Sequence, residues 1–141
     1  MPYWIDGWVE VGHGGPADPP GWQGVLRLLP LIGAPDGVSE HLFGLSKRQP
    51  IPGALFAGRG WPAGLSEQVQ EERDRLDAHD AEFGGGECGG FTWATWAEVR
   101  ASGVEPGAES DWRLVFDLLA RLAADPRHPA DRLRLVVWYN W

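Results

Sequence analysis

The segment Leu133–Tyr139 (LRLVVWY) constrains the fold more than any other part of the chain. Apolar residues fall on both of its faces, and such a strand belongs in the middle of a sheet. A second strand reads from Tyr3 to Val11, where period two is unbroken. Tyr3, Ile5, Gly7, Val9 and Val11 point one way, and Trp4, Asp6, Trp8 and Glu10 point the other.

Helical spacing accounts for much of what lies between. Trp112, Val115, Phe116, Leu119, Leu122 and Ala123 follow i, i+3, i+4, i+7 and give one buried face. Ser110 is the expected cap of that helix, and Asp125-Pro126 ends it near Ala124. Ser66 caps a helix running to about His79. Its apolar stripe is thin (Val69, Leu76 and Phe83), so it lies on the outside. Thr95 and Glu98 make a capping box and predict a short helix ending at Gly103. Trp22, Val25, Leu26, Leu29 and Ile32 predict a further short helix, broken at Pro30 and stopping near Gly33. Gly12–Gly21 and Phe83–Gly90 are expected to be loops. Gly33–Gly64 reads as irregular, apart from a short strand at His41–Leu45. The fold class is α+β, a single small domain over residues 1–141, with a small sheet holding both terminal strands.

Composition narrows the chemistry. With 20 acidic and 12 basic side chains the net charge is -8, and Lys47 is the only lysine. That balance disfavours long DNA or RNA, whose phosphates reward clustered cations. One cysteine, Cys88, rules out an internal disulfide and fits a reducing compartment. No apolar run approaches the roughly 20 residues of a membrane span. The N-terminus lacks the basic start and apolar run of a signal peptide, so the expected location is the cytoplasm. The nine tryptophans and 20 glycines then imply an aromatic core with long loops, or an aromatic pocket edged by loops.

Four stretches, taken in order, resemble a group of small proteins common in bacteriophage genomes. They are Pro50-Ile51-Pro52, the turn Arg59-Gly60-Trp61-Pro62, the run Thr92-Trp93-Ala94-Thr95-Trp96-Ala97-Glu98-Val99, and the terminal LRLVVWYNW from Leu133 to Trp141. In that group the third element reads Ser-Trp-x-Thr-x-x-Glu-Leu and the last closes in aromatic-Asp/Asn. The resemblance implies a phage origin and an α+β fold, and it supplies no activity. Where the pattern has His-Ser before the third element, this chain has Gly89-Gly90, so any role of that histidine is lost or displaced here.

No catalytic constellation stands out. There is no G-x-S-x-G, and Cys88 sits in an acidic neighbourhood that raises a thiol pKa. His79, Asp80, Glu82, Glu87 and Cys88 lack zinc or calcium spacing and read as a solvated charge run, so no metal or cofactor is expected. Phosphate-loop and dinucleotide fingerprints are missing. The loop Gly58-Arg59-Gly60-Trp61 is more suggestive. It offers a planar fork of donors, exposed amides and an indole, which is what a phosphate with a stacked base needs. The alternative is a tight turn with Arg59 paired to a carboxylate. Trp4 and Trp8 on the first strand, with Trp93 and Trp96 beyond the glycine loop, complete the candidate ligand-binding set. Trp141 is expected to dock onto the protein or a second subunit.

The sequence therefore suggests a phage-type accessory protein of the host cytoplasm. Its expected action is to sequester a small phosphorylated nucleotide, plausible as a signal of host antiviral immunity, without turnover and as a homodimer. The alternatives are an acidic inhibitor of a host protein, acting through Glu67–Asp80, and a small hydrolase using His79, Glu87 or Cys88.

Overall fold

Strand β4 (Leu133–Asn140) lies inside a four-stranded antiparallel sheet in a computed structural model that describes residues 3–13, 21–33, 35–45, 51, 53–86 and 88–140. Its neighbours are β1 (Trp4–His13) and β3 (Cys88–Thr95), and β2 (Gly21–Arg27) pairs with the far side of β1. The α+β class, the two terminal strands and the central position of β4 agree with the sequence reading.

The apolar character of β4 on both faces has a direct cause: helices cover both sides of the sheet. On one side, Ile5, Val9, Leu133, Leu135 and Val137 pack against Trp112, Val115, Phe116 and Leu119 of helix α4 (Trp112–Ala123). The same core takes in Leu42 and Phe43 of α1 (Gly37–Phe43) and Trp96 and Val99 of α3 (Trp96–Ala101). On the other side, Val136 and Trp138 pack against Val69 and Leu76 of α2 (Glu67–Phe83), with Trp8, Trp61 and Trp93 around them. Each large apolar side chain buried here contributes about 1.5–3 kcal/mol. Gly7 interrupts the alternation of β1 for a steric reason. Its φ is +155° and a Cβ there would collide with the Val136 carbonyl oxygen. No helix among the described residues is long and apolar enough to cross a membrane.

Several local expectations are corrected. Residues 22–27 form strand, not helix, because hairpin pairing with β1 outweighs their local spacing; Val9 faces Leu26 and Val11 faces Gln23. The proposed strand at His41–Leu45 lies mostly in α1. The Asp36 carboxylate accepts from the Val38 and Ser39 N–H groups, Ser39 answers in a capping box, and Gly44 ends the helix at φ +63°. The glycine loop is shorter than expected because β3 starts at Cys88. The Ser66 cap holds, and α2 continues beyond His79 to Phe83. The Thr95–Glu98 capping box holds as well, with α3 followed by Gly103 at φ +74°. Helix α4 starts later than Ser110, with Asp111 at the cap position, although Ser110 Oγ still accepts from the Trp112 N–H at 3.2 Å. Most of the proposed loop at 12–21, together with Glu87 and Trp141, lies outside the described residues.

Candidate functional site

Arg59 sits on a strap, Phe56–Trp61, that crosses the outer edge of β3. Gly58 and Gly60 have φ of +72° and +73°, a conformation glycine adopts without strain, and no atom lies within 4 Å of a Cβ built on either. Backbone geometry rather than crowding therefore requires glycine on both sides of Arg59. The Arg59 N–H donates to Thr92 Oγ1 at 3.2 Å and the Gly60 N–H to the Phe91 carbonyl at 2.9 Å. The Thr92 hydroxyl in turn donates to the Phe56 carbonyl. The strap passes from one side of the sheet to the other, since Phe56 packs on the α4 core and Trp61 on the α2 core.

The Arg59 fork is occupied. Nη1 donates to Glu98 Oε1 at 3.0 Å and Nη2 to Glu98 Oε2 at 2.7 Å, while Nη1 also reaches the Trp93 carbonyl at 3.3 Å. The guanidinium lies 4.8 Å from the Phe56 ring centre and 5.1 Å from that of Trp93. The hydrogen bonds from Arg59 hold the Glu98 carboxyl below the ordinary glutamate range; burial opposes them and the Thr95 N–H assists. The same bonds raise Arg59 further. This is the alternative the sequence left open, a tight turn with its arginine paired to a carboxylate.

The candidate tryptophans divide by face. Trp61 stacks on Phe91 at 4.6 Å and carries Arg73 over its ring at 5.5 Å. Trp8, Trp61 and Trp93 are half-buried parts of the α2 layer, and Trp4 is 41% exposed at the end of β1. Trp96 lies on the opposite side of the sheet, 2% exposed and edge-on to Phe116 at 5.1 Å. The structure thus joins Arg59 with Trp93 and sets Trp61 and Trp8 in the same layer, whereas Trp96 belongs to the other core.

The carboxylates that alternate with Trp4 and Trp8, Asp6 and Glu10, do not face solvent. Asp6 accepts from its neighbour Gly7 N–H at 2.8 Å, from Arg27 Nη2 at 3.0 Å and from Asn140 Nδ2 at 3.3 Å. Glu10 accepts from Arg134 Nε at 2.6 Å and from the Ser66 N–H at 2.8 Å. Arg134 also donates to the Ala63 and Gly64 carbonyls and lies 3.7 Å from the Trp22 ring centre. Burial lowers its pKa, with Glu10 pulling the other way. The sequence signal for this seam was an arginine inside an otherwise apolar strand, which demands a buried anion.

The clefts lined by described residues include three that lie elsewhere. One of about 510 Å3 is lined by Asp36, Val38, His41, Val104, Glu105 and Ser110, and Ser110 Oγ donates to Asp36 Oδ2 at 2.5 Å within that lining. One of about 360 Å3 adjoins Arg121 and Asp125. The third, about 410 Å3, is a groove on α2 lined by Glu67, Gln68, Gln70, Glu71 and Asp74. Neither Arg59 nor a tryptophan lines any of the three. Of the residues considered as ligands or nucleophiles, His79 lies against Phe83 on α2 with ring centres 4.8 Å apart and planes tilted by 44°, and Cys88 opens β3 opposite Asn140. Comparison with protein-family models, with curated proteins and with solved structures finds no match to this chain.

Proposed function

We propose that this chain is a binding protein that performs no chemistry, and that helix α2 presents its acidic surface to a basic surface of a partner protein. The observation that carries this reading is the stripe Glu67, Glu71 and Asp74. These side chains line a groove, and no arginine pairs with them among the described residues. Val69 and Leu76 fix the opposite side of the same helix in the core, so the charges are held in place rather than on a flexible tail. Ordered like charges of this kind raise association rates and select partners of opposite sign. In keeping with the phage-type resemblance, the partner class is a host protein and the setting is the host cytoplasm.

The test is crosslinking in cells that express the chain, comparing wild type with the variant Glu67→Gln/Glu71→Gln/Asp74→Asn. A control variant neutralises acids elsewhere, Glu105→Gln/Glu109→Gln/Asp117→Asn. A partner captured by wild type and by the control, and lost from the α2 variant, supports the reading. Capture that survives α2 neutralisation, or that both variants lose alike, rejects it.

Sequestration of a small phosphorylated nucleotide is the second reading. Its support is the contact of the Arg59 guanidinium with the Phe56 and Trp93 rings, with the arginine side chain 30% exposed. It requires Glu98 to release the fork. Calorimetry with a panel of mono-, di- and cyclic nucleotides decides: binding that Arg59→Ala abolishes would install it in place of the first.

A further inference from the structure

The two edges of the sheet are treated differently. At β3 the strap Phe56–Trp61 supplies backbone and covers part of the edge, through the Gly60 bond to Phe91 and the Arg59 bond to Thr92. At β2, among the described residues, no strand lies beyond and no backbone pairs with its outer side. The Gly24 N–H turns away from β1 and donates to Gln68 Oε1 at 3.1 Å.

The β2 sequence, GWQGVLR, holds neither proline nor lysine, the residues that commonly blunt an open edge. Its one irregularity is a bulge at Val25, skipped where Val9 faces Leu26 and Glu10 faces Gly24. Gly21–Gly24 pairs with Glu10–His13 without a break, so that half of the strand keeps a regular row of outward backbone groups, of which the Gly24 N–H is held by Gln68 and must be released for a strand to add there.

Gln68 links this edge to the acidic groove. It accepts from the edge amide and lines the groove together with Glu67, Glu71 and Asp74. An extended chain laid along Gly21–Gly24 would place every second side chain on the α2 side, next to those carboxylates. Lysine or arginine there meets opposite charge. A second copy of this chain does not fit as well. Two-fold pairing of β2 with β2 would set two α2 helices on one side of the joined sheet, each with the same acids.

We propose that the outer edge of β2 is a strand-addition site for an extended basic segment of a partner protein. The segment joins as a fifth strand along Gly21–Gly24, with alternate Lys or Arg side chains over α2. This rests on the acidic-helix reading above and specifies how the partner is held. Main-chain bonds supply affinity and the groove selects charge, as in other cases of strand addition.

The probe is a labelled, end-blocked Lys-Val-Lys-Val-Lys-Val-Lys peptide, titrated with the full chain by fluorescence anisotropy at about physiological salt. Two further peptides carry N-methyl groups, one on the lysine amides and one on the valine amides. In an added strand only one of these sets points at β2. Methylation of one set should therefore weaken binding at least about tenfold, while methylation of the other leaves it nearly unchanged. The triple neutralisation on α2 should also weaken the parent peptide about tenfold. No binding of the parent peptide, or equal effects of the two methylations, overturns strand addition. If methylation has no effect but neutralisation still weakens binding, the acidic-helix reading stands and strand addition falls. If neutralisation has no effect, the reading beneath it falls as well.

Discussion

Glu10 and Arg134 stand directly opposite each other on β1 and β4, and Arg134 Nε donates to Glu10 Oε1 at 2.6 Å with the two side chains 0% and 4% exposed. Through Ser66, Ala63 and Gly64 the pair also holds the chain that leads into α2. Removing one partner strands a buried charge. Arg134→Met is expected to cost about 3–5 kcal/mol in urea denaturation. Adding Glu10→Leu should recover part of that loss, because no buried charge then remains. A double variant no more stable than the single would contradict this account.

Glu98 provides a pH dependence. Its carboxyl titrates below the usual glutamate value because Arg59 donates to it. A lowered folded pKa means that the stabilisation is complete above the unfolded value, about 4.3, and is lost as pH falls through the folded value. The side chains are 30% and 35% exposed, so solvent screening keeps the effect near 0.2–1 kcal/mol. The stability gap between wild type and Glu98→Gln is therefore expected to be constant near neutrality and to close below about pH 4. Denaturation midpoints across that range measure it, and a gap undiminished under acid would count against the pair.

Two tryptophans that look alike in the sequence should behave differently. Trp96 is buried against Phe116, and Trp96→Ala is expected to cost about 3–5 kcal/mol. Trp4 is 41% exposed, and Trp4→Ala should stay within about 1 kcal/mol of wild type. Thermal unfolding of both variants is the comparison. A large loss at Trp4 would place it in a packed environment the structure does not give it.

Gly89 and Gly90 are glycine for a steric reason, and Tyr139 supplies most of it. A Cβ on Gly89 would lie 2.8 Å from the Tyr139 hydroxyl. One on Gly90, at φ +70°, would lie 2.8 Å from Tyr139 Cε1 and 2.9 Å from Leu45 Cδ2. Gly90→Ala is expected to destabilise by about 1–3 kcal/mol. The companion change Tyr139→Ala should relieve Gly89→Ala, which is crowded by that ring alone, more than Gly90→Ala, which also meets Leu45 and needs positive φ. Equal relief at both positions would show that the ring is the whole cause.

What could be read from the sequence followed from how local each signal was. β1 and α4 repeat with their own periods, α3 carries its capping box and β4 is apolar on both faces, so their residues announced them. β2 did not, because the bulge at Val25 shifts the alternation by one residue and leaves Trp22 and Leu26 at a spacing that imitates a helix. α1 did carry a signal, Asp36 with Ser39 ahead of Gly44, in a stretch whose glycines and prolines suggested irregular chain. β3 opens on glycines that a distant tyrosine requires, and glycine in sequence reads as loop. The partner of Arg59 could not be read at all, since Glu98 is 39 positions away and meets it only because the strap and α3 flank the same strand.

The strap over β3 also limits what the molecule can assemble into. A sheet open on both sides can be extended repeatedly by copies of itself, which is how fibres grow. Here one side is occupied in part by the chain's own backbone, which leaves β2 as the less covered edge among the described residues. On the strand-addition proposal, a partner strand placed at β2 would add to a sheet whose far edge is already partly filled, so the pairing would not propagate freely through copies of this chain.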